Sequence, residues 1–533
     1  MNKKALAGLF FLIFLAALIF RLPGLELRPM HHDEANQAVK FGALLEEGNY
    51  RYDKEDHHGP SLYYLSLPFA RVFGAKTLAS LDEKTLRLVP AFFGLGTVFL
   101  FLLLIPASGR AAALWGALCL ALSPAMVYFS RFYIQETLLV FFLGGFIAFL
   151  WRYIMRPSWG RALGAGFFAG MMYATKETSV IAFGAVAAAL LLTLILQKLE
   201  RRGEEKEEEI EKEKKEKKKP KFKAPLVHLI PGLAAALFVI LPLYSSFFRN
   251  PRGFVDSILS FKIYFVRAGE AGFHIQPWYY YFQILAFSKG AARLLWSESF
   301  IFVLAVVGSI AAFKLGRPRQ PRSFFLKFIF FYTVAATAAY SIIPYKTPWN
   351  LLPFYLGFIL LAGNGAAFIF GVCPKRFGRA LILLLFAAGF INLGIQSYRA
   401  NFLFSADPGN PYVYAQTSPD FLKLVRRVED LASFDARGKQ MLIKVIASPY
   451  EIWPLPWSLR RFGRVGYWKS VEEAGDIDTP PLIISSAEEA PGLEPLLKDA
   501  YRSEYYGLRP EVFLVLHVRN DLWEKFLKSR TEE

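Results

Sequence analysis

The sequence predicts a mainly α-helical protein that crosses a membrane about eleven times and ends in a small α/β domain. Three observations lead there. The 533 residues are 54% hydrophobic and 16% aromatic, with a mean hydropathy of +0.31, too apolar for a soluble protein of ordinary composition. The apolar residues fall in runs of about 16 to 22, the length a helix needs to cross a hydrocarbon core. After residue 398 the composition changes to that of a soluble domain.

Helices follow because each backbone polar group in lipid must be satisfied within its own segment. The runs lie near 4–22, 86–105, 111–129, 137–154, 161–175, 178–197, 226–247, 297–314, 324–343, 350–371 and 379–397. The first follows Met1-Asn2-Lys3-Lys4, lacks a small-residue cleavage site and leads into Arg21-Leu22-Pro23, which reads as a retained signal anchor. Lys and Arg gather in alternate short loops, at Arg110, at Arg152, Arg156 and Arg161, at 314–322, and at Lys375, Arg376 and Arg379. By the positive-inside bias these loops, the N-terminus and the charged run 198–224 face the cytoplasm of a plasma or inner membrane. The loops 23–85 and 249–296 then fall outside, with the short turns at 130–136, 175–178 and 344–349. So does a separate domain of residues 399–533 beyond the transmembrane unit 1–398.

In that last domain, β-type runs at 441–447, 482–485 and 511–518 alternate with helix-like stretches at 419–432, 487–499 and 521–529, as in a small parallel α/β unit. It carries no Gly-rich phosphate fingerprint. The net charge of +18 sits in short loops, as a topology signal rather than a nucleic-acid surface. Cys119 and Cys373 build neither a disulfide framework nor a zinc motif.

Acids, bases and aromatics gather in the outside loops. Asp33 and Glu34 lie just beyond the first span. Adjacent residues on a helix point about 100° apart, so one could act as a base while the other binds hydroxyls or orients a cation. Equally, the pair could simply charge the first turn of a surface helix running to Leu45. Arg131 and Glu136 bracket Tyr133 and Gln135 in a very short loop, where an Arg can grip a phosphate in bidentate fashion or serve as an interfacial anchor. Lys176-Glu177 reads as a second phosphate contact or as a local ion pair. Lys346, between Tyr345 and Trp349, runs against the orientation bias of the other cations. His31, His32, His57 and His58, with Asp53, Glu55 and Asp56, could hold a divalent metal ion, most directly through His31, His57 and His58. Their spacing matches no zinc signature.

The Asp33-Glu34 pair after the first span, followed by His58-Gly59-Pro60-Ser61-Leu62-Tyr63-Tyr64 and by Ser130-Arg131-Phe132-Tyr133 to Glu136, resembles the protein O-mannosyltransferases and aminoarabinose transferases. These are C-type membrane glycosyltransferases that use polyprenyl- or dolichyl-phosphate sugars. Tyr345-Lys346-Thr347-Pro348-Trp349 and Trp453-Pro454-Leu455-Pro456-Trp457 are similar to a prokaryotic subgroup associated with flippase activity. The resemblance implies an inverting transfer to an extracytoplasmic protein, lipid or glycan. By it, Asp33 is the base with Glu34 assisting, and Arg131, Lys346 and Lys176 contact the donor phosphate. His58, Tyr63, Tyr133, Glu136 and Trp349 then line the substrate site. Gly59 departs from the pattern, which has Pro there. A transporter or a flippase component without transfer activity is the alternative, but such proteins place ionisable groups near the bilayer midplane, and these spans are nearly free of them.

Overall fold

The computed structural model describes residues 2–55, 58–211, 226–269, 274–290, 294–314, 320–373, 375–475 and 480–531. His57 and the charged run beyond Glu211 lie outside the described residues. Helix occupies the positions of all eleven predicted spans, making the chain a multi-pass membrane protein. Lys3–Arg21, Glu83–Leu103, Glu136–Met155, Ser179–Glu200, Pro321–Ile342, Pro348–Val372 and Arg376–Leu403 are each long and apolar enough to cross a membrane. Trp159–Tyr173, Leu229–Tyr244 and Ser299–Lys314 are shorter, at 15, 16 and 16 residues.

The span predicted at 111–129 is broken into Arg110–Leu122 and Pro124–Ser130, bent by 61°. Pro124 cannot donate to the preceding turn, so the helix ends before it and restarts. The restarted end is capped from inside the bundle: the buried Glu298 carboxylate accepts from Ser123 Oγ (2.6 Å) and the Ala125 amide (2.8 Å), and also from Tyr355 and Tyr412. Both oxygens of this buried acid are thus satisfied, so it braces the break. Glycines bring other spans close. A Cβ at Gly308 or Gly365 would collide with a carbonyl of the facing helix, so small residues set that contact.

Two shorter helices, His32–Glu47 and Ser61–Val72, lie at one end of the bundle. The first starts at an N-cap made by His31, whose Nδ1 accepts from the Asp33 amide at 3.0 Å, while Glu34 accepts from the His31 amide at 3.1 Å. It stops at Gly48, which takes the left-handed conformation (φ 66°).

Beyond a two-stranded ribbon of β1 (Ser288–Lys289) and β2 (Leu295–Trp296), the C-terminal domain holds β3 (Ile443–Ile446), β4 (Val465–Trp468), β5 (Leu482–Ser486), β6 (Tyr501–Arg509) and β7 (Val512–Arg519). They are ordered β4-β3-β5-β7-β6. The expected all-parallel sheet is corrected here: β3 pairs parallel with β4 and β5, but β7 is antiparallel to β5 and β6. The two strands missing from the sequence reading, β4 and β6, are the edges. An edge strand lacks one neighbour and carries polar side chains, here Arg502 and Glu504, so its apolar signal is weak.

This domain is tied to the membrane unit beside the helix His32–Glu47. Gln416 and Thr417 donate to the carbonyls of Pro29 and Met30 (2.9 and 2.7 Å), Trp457 Nε1 donates to Glu83 (2.8 Å), and Arg460 donates to the Leu81 carbonyl.

Candidate active site

Asp33 and Glu34 occupy the same helical turn and have opposite environments. Glu34 is fully buried and receives Arg87 through two bonds of 2.7 Å, one to each oxygen, with the Tyr133 amide at 2.9 Å and Arg28 at 3.7 Å. Burial works against its charge, but Arg87 and Arg28 outweigh it and hold the carboxyl at about 2. Asp33 is 39% exposed, and among the described residues its carboxylate accepts no hydrogen bond. Partial burial pushes its carboxyl up, yet His31, His32, His58 and Lys176 around it hold it below the usual carboxylate range. One acid is a buried tie; the other is ionised and available.

Asp33 opens onto a cavity of about 420 Å³. His32, Asn36, Gln37, His58, Gln135, Glu136, Lys176, Glu177, Thr347, Trp349 and Asn350 line its polar part, while Val180, Ile181, Phe261 and Ile343 line an apolar part. Lys176 is buried and paired with Glu136. Glu177 takes His58 Nδ1 at 2.9 Å and the Tyr52 hydroxyl at 3.3 Å. Lys176-Glu177 is therefore not a local ion pair: each partner reaches a different loop. Gly59 makes this approach workable, because a Cβ there would overlap the backbone of Ala174 and Thr175. The Ser61 amide bonds the Ala174 carbonyl at 2.9 Å in the same contact.

Other predicted site residues fall elsewhere. Arg131 does not reach the cavity. Its guanidinium is taken up by the carbonyls of Phe20, Arg21, Pro23 and Gly24, at 2.7 to 3.2 Å, and it stacks on Phe402. Burial beside Arg28 and Arg87 lowers it to about 9. Tyr133 is buried with its hydroxyl on Ser66 Oγ (2.8 Å), and Tyr63 is buried with its hydroxyl on Gln37. Lys346 is buried behind the wall, donating to the carbonyls of Gln276 and Ile343, while its neighbours Tyr345 and Thr347 line the cavity. Trp349 does line it, with its ring edge-on to His31 at 5.7 Å.

Among the described histidines, His31 is committed to the protein itself. His31 Nε2 bonds the Tyr414 carbonyl at 2.9 Å while Nδ1 serves as the N-cap, so both ring nitrogens are engaged. Among the described residues no three His, Cys, Asp or Glu side chains group to hold a metal ion.

Residues 57–204 match the family model described as dolichyl-phosphate-mannose-protein mannosyltransferase. No curated protein sequence matches the chain. Among solved structures, ArnT from Cupriavidus metallidurans in the apo state superimposes with a TM-score of 0.63 at 15% identity, covering 97% of this chain and 99% of that one. The same protein bound to undecaprenyl phosphate gives 0.58. The Archaeoglobus fulgidus oligosaccharyltransferase, tethered to an acceptor peptide, gives 0.53 at 12% identity over 98% of this chain and 77% of that one. The chain has the C-type glycosyltransferase fold.

The sequence reading missed Asn36, Gln37 and Asn350, neutral residues with no charge to mark them. Gln135 Nε2 bonds Gln37 Oε1 at 3.0 Å and so fixes the wall below Asp33. Arg87 was missed as well, although its signal was available: an arginine just inside an apolar run has to find a buried partner.

Proposed function

We propose that this chain moves a sugar from a polyprenyl- or dolichyl-phosphate carrier to a hydroxyl-bearing protein, lipid or glycan on the non-cytoplasmic side, in one inverting step. The observation that carries this reading is a part-exposed carboxylate, Asp33, which accepts no hydrogen bond among the described residues and lies 3.8 Å from His31 Nδ1, sharing one cavity with a buried lysine, Lys176. Asp33 takes the acceptor proton as the acceptor oxygen bonds to the anomeric carbon. The bond from that carbon to the phosphate oxygen breaks, its electron pair leaving with the phosphate, and the growing charge is met by Lys176.

The cations around Asp33 link donor to base. Lys176 is one of the groups depressing the Asp33 carboxyl. A donor phosphate neutralising that lysine raises the basicity of Asp33, so the base strengthens only when the donor is bound. Val180, Ile181, Phe261 and Ile343 suit the first isoprene units of the carrier. The capture of undecaprenyl phosphate by ArnT and of dolichol-phosphate by the archaeal oligosaccharyltransferase AglB, which share the fold, supports that assignment.

The test is the purified chain in liposomes with a radiolabelled polyprenyl-phosphate hexose. Cleavage of the sugar–phosphate bond, lost in Asp33→Asn, is expected; movement of intact donor across the bilayer without cleavage overturns the reading. Cysteine labelling at Ser418 and Gly203 from opposite sides tests the topology.

A further inference from the structure

The C-terminal domain packs against the helix that carries Asp33, through the loop after β3 and the helix Leu455–Ser458. From β3 the chain passes to β4 on one side and then to β5 on the other, so the carboxyl end of β3 lies at a topological switch point, where open α/β sheets bind ligands. The loop leaving β3 carries Tyr450, Glu451 and Trp453. The Trp453 ring lies 5.9 Å from the His32 ring, next to Asp33, and the helix Leu455–Ser458 packs on His32–Glu47. Arg509, on edge strand β6, holds this loop through Nη2 to the Tyr450 carbonyl at 2.5 Å.

That single bond leaves most of the Arg509 guanidinium uncommitted. Arg509 forms no ion pair among the described residues; burial lowers its pKa from the ordinary arginine value, and the charges of Glu451 and Asp33 offset part of that. A half-buried guanidinium with one hydrogen bond and no ion pair keeps donors for an oxyanion, which its fork binds in bidentate fashion. Tyr450, 79% exposed, adds an aromatic face on the same loop.

We propose that Arg509 selects the acceptor: it binds a carboxylate or phosphate carried by the acceptor next to the hydroxyl that Asp33 deprotonates. The assignment rests on Asp33 as base for its catalytic meaning, but the binding it describes is measurable alone.

The test is calorimetric titration of the full chain in nanodiscs with octyl glucuronide, octyl glucose 6-phosphate and octyl glucoside, below their micellar concentrations. At least one anionic probe is expected to bind about tenfold or more tightly than the neutral one, as for a charge-assisted bidentate contact; which one distinguishes carboxylate from phosphate. Arg509→Gln abolishes that preference, Arg509→Lys keeps part of it, and both retain undecaprenyl phosphate binding as the check on folding. Equal affinity for all three probes, or a preference that survives Arg509→Gln but vanishes in Lys176→Ala, overturns the proposal. Unimpaired turnover in Asp33→Asn removes the base assignment and leaves the anion preference standing.

Discussion

Arg87 and Glu34 meet in a two-point ion pair, Nε and Nη2 each 2.7 Å from a different carboxylate oxygen, with neither side chain exposed. Removing one partner leaves the other as an uncompensated buried charge, at a cost of about 3–5 kcal/mol. Arg87→Ala is expected to lower the melting temperature in detergent by far more than Asp33→Asn does. The pH dependence has a definite sign. The folded Glu34 carboxyl lies at about 2, below its unfolded value, so its stabilisation is full above the ordinary glutamate range and fades as pH falls towards 2. Glu34→Gln should flatten the acid side of the stability profile.

Asp33→Asn should fold as the unmodified chain does, because the carboxylate supports no hydrogen bond that the amide would lose. Turnover with a polyprenyl-phosphate sugar should fall by about 10²-fold or more, the usual consequence of deleting a general base. Normal melting together with normal turnover would eliminate Asp33 as the base.

The helices were legible because lipid demands a minimum apolar length of a span, and the break at Ser123-Pro124 shows a run that concealed two helices at a sharp bend. The Asp33-Glu34 pair was legible as a site, but not which acid was free. That distinction depends on Arg87, more than fifty residues along the chain, and no spacing rule encodes such a contact. Arg131 illustrates the same limit: its loop position is compatible with gripping phosphate, and only the turn at Pro23-Gly24, folding back onto it, shows where its donors go.

Lys176 and Arg131 should therefore separate experimentally. Lys176→Ala removes a cation that faces the cavity, and the loss should appear in turnover at saturating donor, since the phosphate charge it meets grows in the transition state. Arg131→Ala strips the donor from the Phe20, Arg21, Pro23 and Gly24 carbonyls, and should appear first as lost stability and expression. Loss of turnover in a fully stable Arg131→Ala protein would bring that arginine back into the site.

Gly59 supplies the last prediction, because it connects packing directly to the cavity. The loop 58–61 passes so close to Ala174 and Thr175 that a side chain at position 59 has no space against their backbone, and backbone cannot move aside as a flexible side chain can. Gly59→Ala must push the two loops apart. That shift lengthens the Ser61 amide bond to the Ala174 carbonyl and pulls His58 away from Glu177, a contact of 2.9 Å in the native arrangement. Lys176 moves with its loop, so its distance to Asp33 changes although neither residue is altered. A misplacement of about 1 Å at a reacting centre costs about 10²-fold in rate, so turnover should fall well beyond any loss in melting temperature. His58→Ala is the control: it removes the contact with Glu177 while leaving the two backbones in register, and should be milder. If Gly59→Ala keeps full activity, the close approach of these two loops does not position Lys176.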